Sequence, residues 1–179
     1  KDTILIDKNQ KIAEEVSARN SGVIHAGFYY PPQSLKSQLC NVGNKMIYQY
    51  CKEKNIFSKN TGKILIGNTD SDLKKINQYI SNAEIYNGEP LTLIERSELK
   101  QLEPNVVASF GMLSPETGVL DVHHYSTSLA DDFEAASGLL SLNTNFNGMS
   151  RKNKKFVSEI HTGEEKFNII SDYIIFSAG

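Results

Sequence analysis

The chain has 179 residues, of which 39% are hydrophobic and 22% are charged, and its formal net charge at pH 7 is -2. This composition fits a globular protein with one domain or two small lobes, and it excludes a nucleic-acid binder because no basic stripe runs along the chain. No apolar run approaches the roughly 20 residues that a membrane-spanning helix needs, so we expect no transmembrane segment.

The first predicted element is a short buried strand at residues 3–6, which ends at Asp7. Residues 8–32 have only weak periodicity and are expected to form mostly loop. The most strongly patterned helix follows at about residues 34–54. Its apolar side chains recur at helical spacing and are Leu35, Leu39, Val42, Met46 and Tyr50.

The two cysteines, Cys40 and Cys51, fall within this helix. They are about three turns apart, or roughly 16 Å along the axis, which is too far for a disulfide. The chain has no CxxC motif and no cluster of metal ligands, so we expect no metal site. We expect a reducing location in the cytoplasm, with peripheral attachment to a membrane left open.

Strands and helices alternate through the middle of the chain, and strands predominate towards its end. This alternation predicts an α/β fold with an α+β insertion, in which both ends of the chain share one lobe and the middle forms another with a mixed or antiparallel sheet. The predicted helices cover residues 69–82, 97–102 and 123–136. The predicted strands cover residues 63–67, 91–94, 106–113, 139–146, 156–161, 166–170 and 173–176, with hairpin turns at 151–155 and 162–165.

The segment from Ser21 to Tyr30 has the composition of a ligand-facing loop. Gly22 and Gly27 flank His25 in an uncharged setting. Glycine lets a backbone approach a flat ligand closely, and histidine exchanges a proton near neutral pH. We therefore expect one polar side chain of this loop to face a ligand.

Short motifs spread along the chain carry a family resemblance. They lie at residues 20–27, 29–31, 34–36, 39–40, 48–51, 62–63, 103–104, 114–118, 121 and 177–179. As a set they resemble the L-2-hydroxyglutarate dehydrogenase/oxidase family, within the D-amino-acid-oxidase-like FAD-dependent oxidoreductases. Asp121 is followed by Val122 and His123, where that family usually has an aromatic and a basic residue, which argues against a substrate role for this turn.

The resemblance implies an FAD-binding Rossmann-like lobe and a substrate-binding lobe. Residues 1–30 and 139–179 would form the FAD-binding lobe, and residues 31–138 would form mainly the substrate-binding lobe. The sequence lacks the GxGxxG unit that holds the FAD pyrophosphate in such enzymes. We therefore expect an incomplete cofactor lobe, a fragment of a longer protein, and weak or absent FAD binding by this chain alone.

The resemblance also assigns cofactor contacts. Asp7 would bind the adenosine ribose, and the loop of Ser21, Gly22 and Gly27 would lie along the flavin. The remaining contacts would be Phe146 near the adenine, with Ala178 and Gly179 near the pyrophosphate. The alternative for Asp7 is a solvated aspartate at the end of a strand. The alternative for Ala178 and Gly179 is a strand that simply ends in a turn.

His25 is the candidate general base for removing the hydroxyl proton of a 2-hydroxy acid, because its ordinary pKa of about 6.5 suits that task. The alternative is a structural histidine with hydrogen bonds in the core. Tyr29, Tyr30 and Lys63 are candidates for binding substrate carboxylates. The alternative is two packing tyrosines and a solvated lysine.

The predicted function of the complete protein is oxidation of a small 2-hydroxy acid, similar to 2-hydroxyglutarate, to the 2-keto acid. The sequence does not identify the electron acceptor. Two alternatives stay open. One is a related flavoprotein that acts on an amine or on glycerol phosphate, and the other is a non-catalytic fragment that lacks the pyrophosphate-binding loop.

Overall fold

The structure is a computed structural model, and it describes residues 2–85, 88 and 90–177. Contacts within the chain define two compact units. The first unit comprises Lys1–Arg19 and His123–Gly179, and the second comprises Asn20–Val122. The sequence had placed both boundaries later, after residues 30 and 138. Which unit binds cofactor and which binds substrate stays a prediction.

Helices and strands alternate along the chain. The α-helices of the described residues are α1 (Leu35–Glu53), α2 (Asp70–Ile85), α3 (Arg96–Leu102) and α4 (Val122–Ala135), with a 3-10 turn at Val16–Arg19. The strands are β1 (Ile4–Ile6), β2 (Val23–Ile24), β3 (Ser58–Lys59), β4 (Lys63–Gly67), β5 (Thr92–Glu95), β6 (Phe110–Ser114), β7 (Gly118–Leu120), β8 (Leu139–Ser141), β9 (Thr144–Lys152), β10 (Lys155–Thr162) and β11 (Glu165–Ser171). This mixture of helices with parallel and antiparallel sheets confirms the predicted α/β class.

The first unit contains a parallel strand pair and an antiparallel meander. β1 runs parallel to β8, with Ile4 opposite Leu139, and β10 lies between β9 and β11. β9 and β10 are joined by Asn153 and Lys154, whose φ angles are 51° and 65°. Positive φ at both central residues matches the twist of the flanking strands. The predicted hairpin turn in this basic segment is therefore confirmed.

Two strand predictions in the first unit were wrong. The single strand expected at residues 139–146 is broken into β8 and β9, because Asn143 between them has a φ of 50°. Residues 173–176, expected to form a strand, have no strand assignment. A strand requires a neighbouring strand to complete its hydrogen-bond ladder, and none of the sheets formed by the described residues includes this segment.

The second unit contains two three-stranded antiparallel sheets, in the orders β2-β7-β3 and β4-β6-β5. The sequence missed β2 and β3, since strands of two residues are too short to show a period. It also started β6 too early, at residue 106, and it missed β7. Helices α2 and α3 pack on the second sheet, and the core there consists of Ile76, Leu91, Met112, Ile94, Leu99 and Ala108.

Helix α1 confirms the predicted helix, but its apolar stripe is exposed. Its N-cap is Ser34, whose hydroxyl oxygen accepts a hydrogen bond from the Ser37 amide. The exposed fractions are 74% for Leu35, 66% for Leu39, 57% for Val42 and 63% for Met46. Helical spacing thus predicted correctly that these apolar side chains share one face of α1, but it did not indicate whether that face is buried.

The cysteines of α1 behave as their spacing predicts. Cys40 and Cys51 are both free thiols, and Cys51 is fully buried. Burial raises the pKa of the Cys51 thiol, which keeps it protonated. Among the described helices, none combines the length and apolar character needed to cross a membrane.

Candidate functional site

The candidate base, His25, lies in the loop that leaves β2. Its neighbours Ile24 and Ala26 are buried, while the His25 side chain is exposed. The His25 carbonyl oxygen accepts hydrogen bonds from Asn44 Nδ2 at 3.2 Å and from Cys40 Sγ at 3.4 Å. The ring itself has no hydrogen-bond partner among the described residues, which argues against the structural alternative. The backbone of His25 is therefore fixed while its imidazole faces outward.

Asn44 connects this loop to two other parts of the second unit. It is 4% exposed, and its amide also donates to the carbonyl oxygen of Glu116 at 3.0 Å. The Tyr48 hydroxyl donates to the same carbonyl at 3.3 Å. The sequence analysis missed Asn44. The available signal was an asparagine in the middle of a long helix, because asparagine disfavours helix interiors unless its side chain has a tertiary partner.

Replacing Asn44 with leucine should lower the free energy of unfolding by about 2 kcal/mol, because the buried Asn44 amide makes two part-buried hydrogen bonds and both carbonyls would lose that donor. Urea denaturation of the 179-residue chain measures the loss. Gln49→Leu on the same helix is the matched control, since Gln49 is exposed and, among the described residues, its side chain bonds to Glu53 alone. That control should change stability by no more than about 0.5 kcal/mol. Equal effects of the two variants would contradict a special role for Asn44.

The pKa of His25 lies below its ordinary value of 6.5. Partial desolvation by the surrounding protein is the largest cause of this lower pKa, even though the residue is exposed, and the positive charges of Lys63 and Lys36 follow in that order. Each of these effects disfavours the imidazolium ion. The ring is consequently neutral at pH 7, which is the form that can accept a proton.

Two lysines lie over two consecutive tyrosine rings near His25. Lys63 Nζ is 4.9 Å from the centroid of Tyr29, and Lys36 Nζ is 4.5 Å from the centroid of Tyr30. The tyrosine faces attract the ammonium groups through cation–π interactions. The structure thus brings together the predicted residues Tyr29, Tyr30 and Lys63 and adds Lys36, which the sequence analysis missed.

The ring of Tyr29 is held by an aromatic cluster. Its centroid is 3.9 Å from that of Phe28 and 5.8 Å from that of Tyr79 on α2, the second contact being edge-to-face. Beside this cluster is a cavity with about 360 Å³ of empty space, including space open to solvent. Tyr30 and Tyr79 line it, and His25 does not. The cavity therefore adjoins the lysine and tyrosine group rather than covering the imidazole.

The two glycines of the loop have reasons within the protein itself. Gly22 has a φ of 65°, and a Cβ there would lie 2.7 Å from the Leu120 carbonyl oxygen. Gly27 has a φ of 89°, and its Cβ would lie 3.0 Å from Asn41 Oδ1. Side chains at both positions would be strained and crowded. These contacts explain the glycines through packing, and their approach to a flavin stays a prediction.

The remaining predicted cofactor residues belong largely to the first unit. Asp7 is half-buried directly after β1, and its Oδ1 accepts the Asn9 amide at 2.8 Å. Phe146 on β9 is 39% exposed, and its ring meets that of Phe176 edge-on at 5.3 Å. Ser21 is exposed in the second unit. Ala178 and Gly179 lie outside the described residues.

No group of three or more His, Cys, Asp and Glu side chains in the described part of the chain is arranged to hold a metal ion.

Comparison with known protein families gives a positive result. All of residues 1–179 match the family described as FAD dependent oxidoreductase, or DAO. The chain belongs to this family.

Several curated relatives of this chain, from different organisms, share one name, "L-2-hydroxyglutarate dehydrogenase, mitochondrial". The protein from Nematostella vectensis is 32% identical over 162 residues, which cover 90% of this chain and 34% of that protein. The protein from Homo sapiens is 35% identical over 143 residues, which cover 79% of this chain and 30% of that protein. The chain thus spans about a third of the length of these relatives, and the resemblance inferred from its motifs is confirmed. The word mitochondrial in their names bears on the predicted cytoplasmic location.

Solved structures of FAD-dependent oxidoreductases share the fold. Glycine oxidase from Geobacillus kaustophilus matches with a TM-score of 0.81 and 15% identity, over 96% of this chain and 47% of that one. L-alpha-Glycerophosphate Oxidase from Mycoplasma pneumoniae, whose structure has FAD bound, matches with a TM-score of 0.80 and 18% identity, over 87% of this chain and 42% of that one. At these identities the comparison establishes the fold alone.

The placement of Asp7 fits one part of FAD. Ligands of α/β sheets bind beyond the carboxyl ends of parallel strands, and Asp7 occupies such a position after β1. One carboxylate oxygen is bonded to Asn9, and the other has no partner among the described residues, so it could accept a ribose hydroxyl. Ribose binding by Asp7 stays a prediction with a compatible geometry.

Proposed function

We propose that the complete protein oxidises a small 2-hydroxy acid, similar to 2-hydroxyglutarate, to the 2-keto acid with FAD as cofactor. The observation that carries this proposal is a neutral, outward-facing His25 close to the ammonium groups of Lys63 and Lys36. A hydroxyl proton requires a neutral base, and substrate carboxylates require cations. The names of the relatives support the same substrate class.

In the proposed reaction, Lys63 binds the carboxylate next to the hydroxyl-bearing carbon and so orients the hydroxyl towards His25. His25 accepts the hydroxyl proton as the α-carbon loses its hydride, and the C–O single bond becomes the carbonyl of the keto acid. FAD, when bound, supplies the acceptor for the two electrons of that hydride. Tyr29 and Tyr30 hold the lysine side chains in place through their ring faces.

A substrate panel with the full-length protein, purified with FAD and supplied with an artificial dye as electron acceptor, tests the proposal. L-2-hydroxyglutarate should reduce the dye. Glycerol phosphate is the second candidate, because two ammonium groups also suit a phosphate dianion. Glycine represents the amine substrates. Reduction by glycerol phosphate or glycine without reduction by any 2-hydroxy acid would overturn the proposal.

The non-catalytic alternative concerns the 179-residue chain by itself. We propose that this chain binds FAD weakly or not at all, since its sequence lacks the glycine-rich pyrophosphate loop. A purified chain with the visible absorbance of bound flavin would contradict this. For location, the cytoplasm is proposed on the absence of a CxxC motif and of a feasible disulfide in the sequence, with peripheral membrane attachment left open. The word mitochondrial in the names of the relatives makes the mitochondrion the competing proposal.

Lys63→Met should raise the pKa of His25 towards its ordinary value, because it removes one of the two positive charges that lower it. In the unmodified chain the folded state disfavours protonated His25. The stability that this neutral ring contributes is therefore complete above the unfolded pKa of about 6.5 and is lost as the pH falls through the lower folded pKa. NMR titration of the imidazole protons in the 179-residue chain measures both variants. Lys74→Met is the control, because Lys74 is an exposed charge on α2, and it should leave the His25 pKa unchanged. If the His25 pKa in Lys63→Met equals that of the unmodified chain, Lys63 is not a cause of the lowered pKa.

A further inference from the structure

Helix α1 is turned so that its apolar stripe faces outward. The side chains that α1 buries are Asn44 and Cys51, and Ser37 and Tyr48 on the same side of the helix are half-buried. The opposite side carries four apolar side chains, each more than half exposed, which we call the outer stripe: Leu35, Leu39, Val42 and Met46. A helix of a globular protein normally turns its apolar stripe towards the core. The outer stripe is therefore an apolar surface that the described residues leave uncovered.

The spacing within the outer stripe indicates what kind of surface packs on it. Its successive members are four, three and four residues apart. At 3.6 residues per turn, all four lie within about 60° of one another around the helix axis. A stripe this narrow is typical of a helix that packs along a second helix, whereas a helix that faces a broad core has an apolar stripe of about 100° or more. The spacing therefore favours a helical partner.

Positive charges border the outer stripe on both sides. By the same helical geometry, Lys36 lies about 90° from the stripe on one side and Lys45 lies about 90° from it on the other. Neither lysine forms an ion pair with a carboxylate of the described residues. Glu53, the last residue of α1, is the one acidic residue of the helix. Acidic side chains that flank the apolar seam of a partner helix would neutralise these lysines, whereas a second copy of α1 would place lysine against lysine.

The size of the outer stripe favours a partner from the same polypeptide. The stripe is roughly 17 Å long and about 10 Å wide, which is far less than the roughly 800 Å² that each partner buries in a stable complex of separate proteins. A covalent connection raises the effective concentration of a small partner surface and so compensates for its area. This chain matches 34% and 30% of the two relatives described above, so a complete protein of their length has further polypeptide to supply the helix.

We propose that the outer stripe is the docking surface for an amphipathic helix from the part of the complete protein beyond residues 1–179. That helix would place an apolar seam against the outer stripe and acidic side chains beside Lys36 and Lys45. Since Asn44 ties α1 to the His25 carbonyl, the docked helix would also hold the element that anchors the His25 loop. The inference goes beyond the proposed oxidation and depends on no substrate or reaction.

Thiol labelling compares the outer stripe in the 179-residue chain and in the full-length protein. Met46→Cys places a thiol in the stripe, at a position where the Met46 side chain is 63% exposed. Its reaction with a maleimide, corrected for Cys40 and Cys51 with the unsubstituted protein, should be at least about tenfold slower in the full-length protein, because the docked helix covers it. Lys74→Cys on α2 is the control and should react equally fast in both proteins. Equal rates for Met46→Cys in the two proteins would overturn the inference.

Charge reversal tests the acidic flanks of the proposed helix. Protection is measured as the labelling rate of Met46→Cys in the 179-residue chain divided by its rate in the full-length protein, so that a direct effect of a new charge on the thiol cancels. Adding Lys45→Glu should reduce this protection roughly threefold, because like charges would then face each other. Lys74→Glu is the matched control and should leave the protection unchanged. Protection that ignores Lys45→Glu would show that the covering surface is not an acidic helix.

Two other occupants of the outer stripe would give distinct results. If a second copy covers the stripe, the full-length protein will sediment as a dimer that Leu39→Glu dissociates. If a bilayer covers it, the full-length protein will float with vesicles of phosphatidylcholine and phosphatidylserine, and Leu39→Glu will abolish the flotation. We expect neither a dimer nor flotation that depends on Leu39. Either result would overturn the inference, because the occupant would then lie outside the polypeptide.

Discussion

Replacing His25 with alanine is expected to lower turnover of the full-length enzyme by roughly 10²- to 10⁴-fold, the range that a general base contributes. The variant removes the imidazole, which accepts the hydroxyl proton in the proposed reaction. FAD should remain bound, because the backbone of the loop is held by bonds from Asn44 and Cys40 to the His25 carbonyl, which the substitution keeps. Dye reduction measures the turnover, and flavin absorbance of the purified variant measures the bound cofactor.

His123→Ala is the matched control, since His123 is an exposed histidine for which the proposed reaction has no use. It should turn over normally. Near-normal turnover of His25→Ala would remove His25 as the base, and loss of FAD together with activity would assign it a structural role in holding the cofactor. Only loss of turnover with FAD retained agrees with the proposed chemistry.

Elements with strong local patterns could be predicted from the sequence. The helix expected at residues 34–54 is α1, Leu35–Glu53, and the strand expected at residues 63–67 is β4. Hydrophobic period and turn residues suffice in such cases, because the signal lies within the element. The strand expected at residues 173–176 fails for the opposite reason, since its hydrogen-bond partners are not specified by its own residues.

The candidate site follows the same division. His25, Tyr29 and Tyr30 could be predicted because they lie in one glycine-containing segment. Asn44 could not, because its two acceptors are 19 and 72 residues away along the chain. Lys36 could not be predicted either, because its contact with Tyr30 depends on the direction in which α1 leaves the loop. Contacts of this kind exist only after the chain has folded.

Gly118→Ala is expected to lower the free energy of unfolding by roughly 3 kcal/mol, at the upper end of the usual cost of overpacking. Gly118 is buried in β7, the central strand of its sheet, opposite Ile24 of β2. A Cβ there would overlap the Tyr48 hydroxyl and the Lys59 carbonyl oxygen. Because one of these atoms is backbone of the neighbouring β3, a side-chain rotation cannot relieve the crowding, and the sheet itself must move.

Urea denaturation of the 179-residue chain, followed by tyrosine fluorescence because the chain has no tryptophan, measures this loss. Gly43→Ala is the control in the same unit. Gly43 lies inside α1, and apart from its chain neighbours and the backbone of that helix, a Cβ there would meet no described atom within 4 Å. Alanine should therefore raise the free energy of unfolding by about 0.5–1 kcal/mol through helix propensity. Opposite signs for the same Gly→Ala change would show that contact geometry decides the outcome, whereas a Gly118 variant as stable as the original chain would show that β3 and β7 can separate at no cost.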